Sequence, residues 1–123
     1  MKIKIVELEG AALDWAVAFA VCPEHFKNSL NPESGLPYWS EGWLSRGSPS
    51  KDWRQGGPLI EGYRMNIICE AGNYWHAEPC DKNGLNVEPY CGHHGSTPLI
   101  AAMRAIVANE LGEAVDVPEE LLK

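Results

Sequence analysis

The chain has 123 residues, of which 45% are apolar and 22% charged, and a formal net charge of −7. That length fits a single domain, residues 1–123, with one modest core, and the composition excludes a disordered or fibrous chain. No apolar run approaches the roughly 20 residues that span a bilayer, and 10 scattered Lys and Arg against 17 Asp and Glu offer no basic face to nucleic acid.

Neither a membrane nor a nucleic acid is therefore expected as a partner, while a homo-oligomer is left open. The opening Met1-Lys2-Ile3-Lys4 is followed by Glu7 and Glu9, so it lacks the apolar segment of a secretory signal and predicts a cytoplasmic protein. Cys22, Cys69, Cys80 and Cys91 are expected as free thiols in that compartment. Cys22 and Cys69 sit among apolar neighbours and read as small core residues.

Ile3, Ile5 and Leu8 alternate loosely with Lys4 and Glu7, which predicts a first strand over residues 2–6. Gly10 opens the alanine-rich run Ala11 to Val21, a helix that Cys22-Pro23 stops. It is apolar nearly all round, so it should be buried on more than one side. Residues 24–49 are full of Gly, Pro, Ser and Asn, interleaved with Tyr38, Trp39, Trp43 and Leu44. They read as an irregular excursion pinned by its aromatic rings, with one short strand at 37–40.

Ser50 is placed to cap a short turn, and Pro58 suits the first position of a second helix, residues 58–62. Met65 to Glu70 reads as a buried strand, Ala71-Gly72-Asn73 as a turn, and Tyr74 to Glu78 as the returning strand of a hairpin. Residues 79–96 read as a loop. Thr97 then caps a helix over 98–111 that starts on Pro98 and stops at Gly112, with Leu99, Ile100, Met103, Ile106, Val107 and Leu111 on one face. Residues 115–118 are extended and 119–122 form a short turn. The expected fold class is α+β, a small antiparallel sheet packed with an N-terminal and a C-terminal helix and carrying long irregular loops.

Three blocks carry a family resemblance: Ala11-Ala12-Leu13-Asp14-Trp15-Ala16-Val17, the stretch Ser48 to Glu61 with its Asp52-Trp53-Arg54-Gln55-Gly56-Gly57-Pro58, and Thr97 to Arg104 continuing through Gly112 to Leu121. In that order they resemble the NinX-like family of accessory proteins of lambda-like phages and prophages. The resemblance implies an origin in a phage or prophage, the cytoplasm of a bacterial host cell, and a likeness to small phage α–β–α sandwich domains. It names no mechanism. The segment Cys80 to His94 is not part of the family pattern, so a function placed there would be peculiar to this chain.

Enzyme motifs are missing: there is no phosphate loop, no Gly-x-Ser-x-Gly elbow and no His-Glu-x-x-His. Cys80, Cys91, His93 and His94 are of the ligand types that suit Zn²⁺, with Cys22 and His25 as a distant pair, but their spacing is irregular. Neither a metal nor another cofactor is expected on that basis. Gly56-Gly57 before Pro58 would either bare helix amides to an anion or simply let the chain turn sharply. Of five tryptophans, Trp39, Trp43, Trp53 and Trp75 lie in or beside loops, where indoles complete a core poor in Phe or anchor a partner.

The leading reading is a non-enzymatic binding protein that engages a host protein or a small ligand. Its candidate site is Asp52, Trp53, Gly56, Gly57, Trp75 and Arg104, with Trp53 partly exposed beside a concavity and Asp52 capping or contacting the same turn. A protein that sequesters small nucleotides, with Arg104 as phosphate partner, is the first alternative. A hydrolase with an unrecognised site is the second.

Overall fold

A computed structural model describes residues 1–21, 49–80 and 92–122. The expected strand at 37–40, Trp39, Trp43, Cys22, His25 and Cys91 lie outside these residues. Among the described residues the protein is α+β, with three α-helices and five strands in two antiparallel sheets.

Strand β1 (Lys2–Lys4) is shorter than the alternation suggested, because Ile5–Glu7 coil into a 3₁₀ turn. Leu8 donates its amide to the Ile5 carbonyl at 3.0 Å. The turn puts Ile5 and Leu8 on the same side, and both are fully buried. Helix α1 spans Gly10–Val21 and α2 spans Trp53–Gly62. Strands β2 (Met65–Ala71) and β3 (Tyr74–Pro79) form the hairpin that the sequence signals, but β2, read there as buried, is exposed at Asn66 and from Ile68 to Ala71. Strand β4 (His93–Gly95) then pairs with β3, α3 covers Pro98–Leu111, and β5 (Ala114–Asp116) lies antiparallel to β1.

Two departures from the sequence reading have clear causes. Helix α2 begins at Trp53, five residues before Pro58, because the Asp52 carboxylate accepts the Arg54 amide at 2.9 Å and its carbonyl accepts from Gln55 and Gly56. An N-cap of this kind contributes about 1 kcal/mol, and Pro58 is carried inside the helix. Strand β4 lies in what reads as a loop. It is only three residues long, and Gly95 lets it press against α3, where a side-chain carbon would stand 2.7 Å from the Ala101 backbone nitrogen.

Helix α3 is the centre of the core, packed on α1 and on β3 and β4. Besides the expected apolar stripe, Ala101, Ala102, Ala105 and Ala108 are buried as well. Alanines on this second side let neighbouring elements approach closely. Cys69 is exposed on β2, correcting its reading as a core residue, since the strand runs outward toward the hairpin turn. Cys69 and Cys80 are free thiols.

Asp14 is a charged side chain inside this core, 5% exposed on α1, where it accepts the Ser50 amide at 2.9 Å. Burial pushes its carboxyl above the ordinary value, while hydrogen bonds from Ser50 and the charge of Lys51 pull it back. The folded state thus holds this proton more tightly than the unfolded chain does. The contribution of Asp14 to stability is fully present below pH 3.8 and is lost as the pH rises through the raised folded value. Asp14→Asn keeps an acceptor for Ser50 without burying a charge. It is expected to be at least as stable as the parent at pH 7 in urea denaturation, with any advantage closing as the pH is lowered. Asp14→Ala leaves the Ser50 amide unpaired and is expected to cost about 1–3 kcal/mol. An Asn variant as damaged as the Ala variant would show that the charge itself is required.

Candidate functional site

The outward face of the β2–β3–β4 sheet is its most polar part. Alternation along β3 sends Tyr74, His76 and Glu78 to one side and Trp75 and Ala77 to the core. On β4 the same rule separates two neighbours in sequence. His93 is buried, with its Nε2 2.8 Å from Glu113 Oε2, whereas His94 lies opposite His76 on the outer face. On β2 the register shifts between Cys69 and Ala71, so Glu70 sits in a β-bulge with no partner across the ladder. Bulges re-aim side chains, and this one brings Glu70 to the histidines.

The resulting cluster is tight. His76 Nδ1 lies 3.2 Å from His94 Nε2, which is also 3.2 Å from Glu70 Oε2. On its other side, His76 Nε2 is 3.1 Å from Glu78 Oε2, and both side chains are nearly buried. The His94 ring stacks on Tyr74, with centroids 4.5 Å apart and planes 7° from parallel. Beside them opens a concavity of about 490 Å³, lined by Val6, Tyr74, His94, Ser96 and Arg104 among others.

Arg104 reaches this concavity from α3, with two of its three guanidinium nitrogens engaged by backbone carbonyls. Nε donates to the Leu8 carbonyl at 2.9 Å and Nη1 to the His94 carbonyl at 2.8 Å, so the side chain ties the first 3₁₀ turn and β4 to α3. Burial lowers its pKa and the charge of Glu9 raises it, and a guanidinium stays charged throughout.

The other residues singled out from the sequence lie elsewhere. Asp52 caps α2, and Trp53 follows it with 55% of its surface exposed. Gly56 is buried against Pro49 and Leu99, whereas no described residue would touch a side-chain carbon at Gly57. These two glycines lie within the helix and do not form a turn ahead of it. Trp75 packs, half-buried, against the core. Of the six, only Arg104 lines the concavity beside His94. A second hollow, at the far end of α2, is lined by Pro58, Glu61, Gly62 and Arg64, and Trp53 is not part of it.

Glu70, His76, Glu78 and Tyr74 were not among the candidates read from the sequence. The alternation Tyr74-x-His76-x-Glu78 does place three polar groups on one face. What it could not supply was the neighbouring strand that adds His94, or the bulge that adds Glu70.

A comparison with curated proteins finds no match. A family model, described as bacteriophage P22, NinX, matches residues 4–110. That span takes in α1, α2, the whole β2–β3–β4 sheet and nearly all of α3, and on this match the chain belongs to the NinX family of phage proteins.

Proposed function

We propose that this phage protein acts in the cytoplasm of the infected bacterium by binding a host protein, with the outer side of α2 as the contact. The observation that carries the reading is the exposure of Trp53, at 55%, on the first turn of a helix anchored from behind. Gly56 seats that helix against Pro49 and Leu99, and Arg54 stands 96% exposed next to the indole. An indole on a rigid element loses little entropy on binding, and Trp and Arg are the residue types that most often carry interface energy. Trp53 is also absent from the core cluster of the described residues.

Trp53→Ala is therefore expected to abolish recovery of a specific host partner on tagged bait, while changing stability by less than about 0.5 kcal/mol, as surface substitutions do. Unchanged recovery would refute the reading. A variant that unfolds instead would show that the indole belongs to the packing.

A further inference from the structure

We infer that Glu70, His76 and His94 form a site for a divalent transition-metal ion on the outer face of the sheet. This inference is independent of the contact proposed for α2. The three donor atoms lie within 4.8 Å of one another. Two nitrogens, or a nitrogen and an oxygen, on one tetrahedral ion with bonds of about 2.0–2.1 Å stand about 3.3 Å apart. The His76–His94 and His94–Glu70 separations are both 3.2 Å.

Proton accounting favours a cation at this point. His94 Nε2 faces a ring nitrogen and a carboxylate oxygen at equal distance. A single N–H on that atom cannot be directed well at both. A metal ion bound by all three atoms resolves the conflict, with lone pairs from both imidazoles and a negative charge from Glu70 converging on it.

The surroundings are those of a supported ligand set. Glu78 Oε2 lies 3.1 Å from His76 Nε2, and with the proton on that nitrogen the Nδ1 lone pair faces His94. A carboxylate behind a ligating imidazole fixes its tautomer and raises its basicity. Tyr74 holds the plane of the His94 ring by stacking, and Arg104 holds the His94 carbonyl. Two imidazoles and one carboxylate suit zinc-class ions better than Mg²⁺ or Ca²⁺, which prefer oxygen alone. The ligands come from two arms of the hairpin and from β4, so the sheet itself sets the geometry. Among the described residues no cysteine takes part, which separates this site from the Cys80–Cys91–His93–His94 set considered from the sequence.

The test uses the full chain, freed of any affinity tag and stripped with EDTA, titrated with ZnCl₂ alone in a calorimeter. One Zn²⁺ per chain is expected, with a rise in melting temperature on saturation. Glu70→Gln and His94→Ala change half-exposed side chains, so the metal-free variants should melt like the parent. Each is expected to bind Zn²⁺ at least tenfold more weakly. Glu78→Gln acts through His76 and is expected to weaken binding by about 10–100-fold, while Cys69→Ser and Cys80→Ser leave affinity unchanged. Absence of saturable uptake by the parent protein, full affinity in either ligand variant, or uptake governed by Cys80 instead would each overturn the site.

Discussion

Met103→Ala is expected to lower the free energy of unfolding by about 2–5 kcal/mol, the usual cost of truncating a fully buried Met. Met103 is 0% exposed at the middle of α3, and its methyl group also faces α2 near Gly56. Against a typical total of about 5–15 kcal/mol for a domain, that loss is large. Urea denaturation with matched slopes checks it directly. A change below about 0.5 kcal/mol would mean that the core tolerates the void, and that α3 is not its centre.

The second large effect lies at two adjacent glycines and has opposite signs. In a helix interior, Gly→Ala alone contributes up to about 1 kcal/mol of stability. At Gly57 no described residue lies within 4 Å of the new methyl group, so Gly57→Ala is expected to stabilise by up to that amount. At Gly56 the methyl would stand 2.5 Å from the Pro49 carbonyl oxygen and 2.6 Å from Leu99 Cδ2. Leu99 can rotate, but a backbone carbonyl has no such freedom. Overpacking of this kind costs about 1–3 kcal/mol and exceeds the propensity gain. Gly56→Ala is therefore expected to destabilise on balance, read as a lower urea midpoint. If both variants gained stability, α2 would not be seated on α3 as described.

What the sequence could and could not convey follows from the range of the forces involved. Helix α3 was legible because its signals are local: the Thr97 hydroxyl accepts the Ile100 amide at 3.1 Å, and Gly112 takes a φ of +92° just beyond the helix. The β2–β3 hairpin was legible for the same reason. The start of α2 was misjudged because Pro58 resembles a first helical residue, while Asp52, the real cap, precedes a stretch with two glycines. Strand β4 was hidden, since three residues reading His-His-Gly carry no apolar alternation.

The polar cluster was less legible still. His93 and His94 are neighbours in sequence, yet the pleat buries one, with its ring nitrogen against the exposed Glu113, and turns the other out toward Glu70. Glu70 and His94 are joined only through the fold and a one-residue slip in register. Asp52 and Trp53, by contrast, were readable as a capped turn bearing an indole, because both depend on adjacent residues alone.

The two sheets also differ in when they can form. β2 and β3 meet across Gly72 and Asn73, and a hairpin of this kind closes in about 1–10 μs. β1 and β5 come from opposite ends of the described chain, with Lys2 facing Asp116. Joining them early would restrict everything between at an entropic cost that three ladder positions cannot offset. The β1–β5 ladder is therefore expected to act as a late clasp, fastened after α3 has settled on the sheet. Such a clasp governs how long the native state persists more than how quickly it is reached, because contacts absent from the folding transition state act on the unfolding rate.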